Sequence, residues 1–139
     1  MTFRKALRSD IDYLLWLRME TMEKYLIDSG IKLTREDHLA RVQYQFEYAK
    51  IILLKAEKIG LLKIKENGRE SEIIQIQIEP KYQGKGWGTK IIQTLIAQAQ
   101  KEKKQIYLSV LKKNKAKYLY KRLGFSVTEE TKDSFIMKI

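Results

Sequence analysis

The sequence predicts an α/β protein in which a mixed, mostly antiparallel sheet is flanked by about four helices. Two observations predict this class. Segments with helical apolar spacing alternate with short β-branched runs, and three of these runs follow one another in the middle of the chain. The resulting element order is β-α-α-β-β-β-α-β-α-β-β. The length of 139 residues suits one domain that spans residues 1–139.

The N-terminal third is predicted to contain a short strand and two helices. Residues 3–7 are extended, and residues 9–12 resemble a capping box at the start of a helix. Helical apolar spacing continues to about Leu26, before residues 28–30, Asp-Ser-Gly, break it. Thr34 opens a second capping signature. We expect the helix behind it to bury an apolar stripe made of Leu39, Val42 and Phe46.

The middle of the chain contains three β-branched runs, residues 51–55, 59–65 and 72–78. They are predicted to form consecutive antiparallel strands, because the Asn67-Gly68 pair is typical of a tight hairpin turn. Strand alternation predicts that one face of the third run carries Ile74, Ile76 and Ile78, and the other Gln75, Gln77 and Glu79.

The C-terminal part is predicted to alternate helices and strands. An amphipathic helix comes first, with an apolar face made of Ile91, Ile92, Leu95, Ile96 and Ala99. A strand at residues 105–111 follows, and Asn114 is placed to cap the next helix, which Gly124 ends. The inner face of that helix carries Ala116, Leu119, Tyr120 and Leu123. Residues 125–128 and 134–139 are predicted to form a closing pair of strands.

The composition excludes several classes of site. The chain has no cysteine, which rules out disulfides, thiolate metal sites and thiol nucleophiles. Its one histidine, His38, lies in a charged helical stretch and is expected to be solvated. We therefore expect no metal site. No window approaches the roughly 20 apolar residues of a membrane span, so a soluble, cytoplasmic protein is expected.

The positive charge is concentrated in one third of the chain. The net charge is +11, and the window from Lys81 to Arg122 holds twelve basic residues and a single acidic one, Glu102. The rest of the chain is therefore neutral overall. Solvated helix faces explain some of these lysines but not the asymmetry, so a polyanionic partner is indicated for this window.

A glycine-dense loop lies between the third central strand and the following helix. Residues 83–89 are Gln-Gly-Lys-Gly-Trp-Gly-Thr. Glycines allow backbone N–H groups to approach an anion, and a helix N-terminus adds partial positive charge, so the loop predicts a phosphate site. The loop does not match a Walker sequence, because no Gly-Lys-Ser/Thr closes it, and Thr89 departs from the dinucleotide fingerprint.

Two motifs in their expected order identify a family resemblance. Gln83-Gly84-Lys85-Gly86-Trp87-Gly88 matches Gln/Arg-x-x-Gly-x-Gly/Ala. A strand, Leu108-Ser109-Val110, then precedes Asn114-x-Ala116-x-x-Leu119-Tyr120-x-x-x-Gly124-Phe125, in which the alanine is one place closer to the asparagine than in the commonest spacing. In both motifs the sequence resembles the GNAT superfamily of N-acetyltransferases. The motifs cover roughly residues 72–125, and the element order agrees along the whole chain.

The resemblance implies direct transfer of an acetyl group from acetyl-CoA to an amine, without a covalent enzyme intermediate. It implies that backbone groups of strand residues 76–78 hold the pantetheine arm and that the glycine loop holds the pyrophosphate. The cofactor-binding residues so implied are Ile76, Gln77, Ile78, Gln83, Gly84, Lys85, Gly86, Trp87, Gly88, Thr89, Asn114, Lys117 and Tyr120.

The resemblance also implies catalytic roles. Tyr120 matches the tyrosine that protonates the departing CoA thiolate, although the helical stripe it belongs to is equally compatible with a core residue. Glu72 is the candidate general base. A water relay, or a carboxylate near the first inter-helix loop, is an open alternative: Glu20, Glu23 or Asp28.

The acceptor is expected to be an amine of a small molecule or a peptide. By analogy with the family, residues 25–32 and 128–134 shape its pocket, and the acidic residues of the second segment would suit a cationic amine. A catalytically idle CoA-binding sensor and a basic nucleic-acid-binding module are the alternative functions. The second is disfavoured because no RNA- or DNA-binding signature is present. The sequence does not decide between a monomer and a homodimer.

Overall fold

The computed structural model describes residues 1–139, and its elements follow the predicted order. The strands are β1 (Thr2–Lys5), β2 (Ala49–Leu54), β3 (Glu57–Asn67), β4 (Glu70–Ile78), β5 (Gln105–Leu111), β6 (Ser126–Glu130) and β7 (Ser134–Lys138). The helices are α1 (Ile11–Asp28), α2 (Arg35–Gln43), α3 (Trp87–Lys101) and α4 (Ala116–Arg122). None of the helices combines the length and the apolar composition that crossing a membrane requires.

The strands form one seven-stranded sheet in the order β1-β2-β3-β4-β5-β7-β6. All neighbours are antiparallel except β4 and β5, which are parallel. The predicted mixed, mostly antiparallel sheet is therefore confirmed. The parallel pairing is short: it runs from Glu70 and Gln105 to Ile73 and Leu108, and then stops. Beyond that point β4 and β5 diverge, and a gap opens in the middle of the sheet.

Helices cover both faces of the sheet. On one face the predicted apolar side of α3 packs into the larger core cluster through the buried residues Ile91, Ile92 and Ala99. On the other face α1 and α2 pack over β2 and β3 in a second cluster, with Leu14, Leu17, Val42, Ile51 and Leu61 at its centre. Burying a single aliphatic side chain of this size contributes about 1.5–3 kcal/mol to the free energy of unfolding. Both helical layers therefore stabilise the sheet that contains the gap.

An extra residue in β4 changes the predicted alternation of side chains. Lys63 pairs with Gln75 whereas Ile64 pairs with Ile73, so Ile74 is a bulge. Ile76 and Ile78 face the larger core as predicted, but Ile73 takes the place expected for Ile74. The bulge lies where the pairing with β5 ends, and bulges bend the strand that contains them.

Two tight hairpin turns join β2, β3 and β4. The hairpin between β2 and β3 turns at Lys55 and Ala56, with φ values of 50° and 66°. The hairpin between β3 and β4 pairs Asn67 with Glu70, so Gly68 (φ 55°) and the residue after it form the turn. The two hairpins connect the three consecutive antiparallel strands that the sequence predicts.

Asp10, at the start of α1, does not cap the helix as the sequence predicts. Asp10 is buried and makes no side-chain bond to the helix. Its carboxylate accepts from the amide of Leu7 at 2.8 Å and from the guanidinium of Arg4 at 2.8 and 2.9 Å, and the ammonium of Lys58 lies 2.8 Å away. Asp10 therefore fastens β1 and β3 to the start of α1.

The second helix begins as predicted. Thr34 Oγ1 accepts from the amide of Asp37, whose carboxylate accepts from the amide of Thr34, so the capping box is complete. The expectation that His38 is solvated is wrong, because the residue is 1% exposed and packs under α1. The helix ends at Gln43, and Phe46 packs against the second cluster from a separate turn.

Candidate functional site

The gap between β4 and β5 contains two adjoining cavities. The first, of about 600 Å³, is lined by the glycine loop, the start of α3 and α4. The second, of about 380 Å³, lies on the side of α1 and α2. They meet at residues that line both: Met22, Ile76, Gln77, Asn114 and Tyr120. Two molecules, one bound in each cavity, would therefore meet at this junction.

The glycine loop presents free backbone donors to the first cavity. Gly84 and Gly86 have φ values of 73° and 85°, a left-handed conformation that favours glycine. The first helical bond of α3 runs from the amide of Lys90 to the carbonyl of Gly86, and the amides of residues 84–89 donate to no protein acceptor. A Cβ added at Gly84 or Gly86 would meet no protein atom within 4 Å. Open space lined by unpaired N–H groups at a helix start suits a phosphate.

The side chain of Gln83 holds the loop against the end of β4. Its Nε2 donates to the carbonyl oxygen of Ile78 at 2.7 Å. On the other side of the loop, a Cβ at Gly88 would lie 3.6 Å from the Ile78 side chain, so α3 begins in close contact with the strand. Gln83 thus positions the phosphate-facing backbone while its own amide faces the strand.

Basic side chains surround the same cavity. Lys115 and Arg122, at the two ends of α4, line it. These two residues were not among the predicted site residues, although both belong to the basic window that the charge distribution singled out. Lys85 and Lys90 lie on the loop and the first turn of α3, with their ammonium groups 5.9 Å from the ring of Tyr82 and 5.7 Å from the ring of Trp87. Two residues of the basic window thus line the cavity that the unpaired amides face, and Lys85 and Lys90 lie beside it.

The free edge of β4 provides the second wall of the gap. The amide of Glu79 donates to Ile59 at 2.8 Å, so by the alternation of an antiparallel ladder Gln77 also bonds to β3. The peptide groups of Ile76 and Ile78 are consequently directed into the gap. An extended, amide-containing arm could pair with them as an added strand would.

Tyr120 lies at the junction of the two cavities. Its side chain is 8% exposed, and its ring packs on Phe125 with 5.8 Å between the centroids. Burial alone raises the pKa of the hydroxyl to about 12, and no hydrogen bond to the protein contributes. The ring is therefore part of the core, while the hydroxyl is an unpaired donor at the cavity surface that stays protonated at neutral pH.

The two other predicted residues of the α4 region differ in position. Asn114 lines both cavities, and its Oδ1 accepts from the amide of Ala116 at 2.9 Å, which is the predicted capping role. Lys117 is directed away from the gap. Its ammonium donates to the carbonyl of Lys112 and lies over the rings of Tyr118 and Phe135.

Among the candidate bases, Glu72 is the one that lines the gap. It is half-buried in the wall of the second cavity, in register with Tyr107 on β5. Glu20 and Glu23 line a separate depression on the other side of α1, and Asp28 is exposed at the end of that helix. Glu129 and Glu130, in the predicted acidic segment, are exposed on the edge strand β6, where Glu130 pairs with Lys112 at 2.6 Å.

The unpaired amides at a helix start, in the opening of a split sheet, suit a ligand that carries phosphate groups. The family model of the acetyltransferase (GNAT) domain matches residues 47–127, more than half of the chain. The chain therefore belongs to the GNAT acetyltransferase family, as the two motifs predicted. Domains of this family use acetyl-CoA as the acetyl donor.

Solved structures share the fold over the whole chain. An acetyltransferase from Thermus thermophilus is similar with a TM-score of 0.76 and 19% identity, over 100% of this chain and 97% of that one. The PaiA N-acetyltransferase from Thermoplasma acidophilum, solved in complex with coenzyme A, is similar with a TM-score of 0.73 and 18% identity, over 99% and 96% of the two chains. No curated protein sequence matches the chain significantly.

Proposed function

We propose that this protein is an N-acetyltransferase that transfers the acetyl group of acetyl-CoA directly to a primary amine. The single observation that carries the proposal is the gap between β4 and β5. In it the unpaired amides of residues 84–89 and the unpaired hydroxyl of Tyr120 line one continuous cavity system. A carrier held by its phosphates at one end would present its thioester near the other.

The residues of the first cavity bind and orient the donor. The loop amides, the dipole of α3 and the side chains of Lys115 and Arg122 favour the pyrophosphate. The peptide groups of Ile76 and the N–H of Ile78 align the pantetheine amides along β4, while the carbonyl of Ile78 is held by Gln83. Together they hold the donor at a fixed depth, and such positioning accounts for much of the rate in direct transfer reactions.

Tyr120 serves the departing thiolate. A thiol has a pKa of about 8.5, well below the value of about 12 for the Tyr120 hydroxyl. The hydroxyl therefore donates a hydrogen bond that strengthens as negative charge develops on sulfur. The hydroxyl passes its proton to the sulfur as the C–S bond breaks, and the proton that the acceptor nitrogen releases returns to Tyr120 through solvent.

Glu72 accepts the proton of the amine, directly or through a water molecule. It is the candidate carboxylate that lines the second cavity, on the acceptor side of the junction. A water molecule between this carboxylate and the amine would serve as the relay that the sequence left open.

Cofactor binding and turnover test the proposal separately. Titration calorimetry is expected to give micromolar-range binding of acetyl-CoA and of CoA, and both should raise the melting temperature by mass action. Release of free thiol from acetyl-CoA, followed across a panel of amines, is expected to identify at least one accepted amine. Binding without turnover on any amine would indicate a CoA-binding sensor. No binding at millimolar cofactor would contradict the proposal altogether.

A further inference from the structure

The second cavity contains a buried cation that has no anionic partner. Arg18 on α1 is 5% exposed and lines this cavity. Its Nε donates to Nδ1 of His38 at 3.2 Å, and its two Nη groups have no acceptor in the protein. Burial, and then the nearby charge of Arg41, lower the pKa of Arg18 only to about 10, so the guanidinium remains charged at neutral pH.

The other groups around Arg18 do not neutralise it. Burial and the charge of Arg18 lower the pKa of His38, and its Nδ1 already accepts a hydrogen bond, so the imidazole is neutral with its proton on Nε2. Arg41 lines the same cavity and stacks on Tyr44, with 5.9 Å to the ring centroid. The buried ammonium of Lys63 is fully engaged by backbone carbonyls at the end of α2.

The carboxylates near the cavity are placed elsewhere. Glu72 lines it but forms no ion pair with Arg18. Asp37 lies in the depression outside, where its carboxylate is used to cap α2. The cavity wall thus carries an excess of positive charge, and the Nη groups of Arg18 are free to bind a ligand there. Burying a guanidinium without a counterion is unfavourable, and an anionic ligand at its open Nη groups would offset that cost.

The cavity also has the shape of an acceptor path. It begins at Tyr120, passes Arg18, and continues into an outer depression that shares Arg18, Leu26, Arg41 and Leu111 with it. A small molecule entering from the outside would pass the exposed Arg41 first and reach the buried Arg18 next. Its far end would then lie toward Tyr120, where the donor thioester is expected.

We propose that the acceptor is a small primary amine that also carries a carboxylate, and that Arg18 binds this carboxylate with Arg41 at the entrance. The inference rests on the proposed acetyltransferase function and specifies its substrate class. One buried guanidinium matches the single negative charge of a carboxylate, and its planar fork matches the two oxygens. The same two cations would repel a polyamine. The acceptor class proposed here therefore differs from the cationic amine that the acidic segment at residues 128–134 suggested.

The first test compares matched acceptors. Free α- and ω-amino acids, each paired with its own carboxamide, are assayed by thiol release from acetyl-CoA, with spermidine as the polycationic comparison. The preferred amino acid is expected to exceed its carboxamide by roughly tenfold or more in kcat/KM, since the amide loses a charge-assisted contact. Equal rates for acid and amide, or a preference for spermidine, would overturn the inference and leave the acetyltransferase function standing.

Variants then assign the preference to Arg18. Arg18→Met is expected to lower kcat/KM for the amino acid roughly tenfold or more and to leave the carboxamide unchanged, whereas Arg18→Lys restores part of the loss. Arg35→Gln, at an exposed position in a separate depression, is the matched control and should change neither rate. An unchanged preference in Arg18→Met, with an intact melting curve, would refute the assignment.

A binding measurement separates this inference from the proposed function. The protein saturated with CoA is titrated calorimetrically with each amino acid and each carboxamide of the same panel. Binding of an amino acid that Arg18→Met abolishes supports the inference even if no amine is acetylated. Absence of binding by every amino acid refutes it, whatever the outcome of the turnover assay.

Discussion

Replacing Tyr120 by phenylalanine separates a catalytic hydroxyl from a core ring. The ring's packing on Phe125 is kept, and the hydroxyl that is removed has no partner in the protein that would be left unsatisfied. We therefore expect the free energy of unfolding to change by no more than about 0.5 kcal/mol. Acetyl-CoA affinity should also remain near that of the wild type, because the phosphate-binding loop is unaltered.

Turnover should respond very differently. Removing one donor aimed at developing negative charge in a water-poor site lowers kcat by roughly 10²–10³-fold. The assay is thiol release with the best amine of the panel, run for both proteins with calorimetric titration of acetyl-CoA and a melting curve. Because the hydroxyl's pKa is raised to about 12, it stays protonated up to about pH 10, and its ionisation should cause no loss of wild-type kcat below that pH. Equal kcat in the two proteins would refute the role of Tyr120 and leave it a core residue.

Three further experiments test the loop, the sheet and an ion pair. Gly86→Val should weaken acetyl-CoA binding at least tenfold, because its side chain fills the space for the phosphates. Gly68 also has a left-handed backbone and open space around it but lies far from the loop, so Gly68→Val should lower stability alone. Calorimetric titration of acetyl-CoA compares the two variants. Gly60→Ala would place a Cβ 2.2 Å from the carbonyl oxygen of Gln77, and the melting curve should show a loss of about 1–3 kcal/mol. Folding lowers the pKa of Asp10 through its basic partners, so its contribution is complete above about pH 4 and is lost as the pH falls further. Asp10→Asn should therefore lower stability by about 2 kcal/mol at pH 7 but flatten its decline in acid, and an unchanged acid profile would contradict this.

Local patterns predicted those parts of the fold that depend on local interactions. The spacing of Ile91, Ile92 and Ala99 placed one face of α3, and Thr34 placed the start of α2, because both signals lie within a few residues of chain. The glycine loop was also predictable, since left-handed φ values at Gly84 and Gly86 select glycine directly. The motifs then identified the strand and the helix that border the gap.

The predictions that failed depend on partners that are distant in sequence. His38 looked solvated because its neighbours in α2 are charged, yet it is buried by Arg18, which lies 20 residues earlier on another helix. Asp10 looked like a helix cap because its partner Lys58 belongs to β3. The buried charge of Arg18 has no pattern of its own in the sequence. Only the packing of two helices over the split sheet makes it a feature of the site.

The parallel seam between β4 and β5 consists of four residue pairs and borders the gap, whereas β3 and β4 share eight pairs. We therefore expect the seam to open more readily than the ladder between β3 and β4. Amide hydrogens along this seam should exchange through a sub-global opening that costs less than complete unfolding. A donor molecule that bridges β4 and α4 would close the seam, so hydrogen exchange there would slow with ligand concentration while exchange inside each ladder would follow global stability. Bound substrate would thus link the strands on the two sides of the seam.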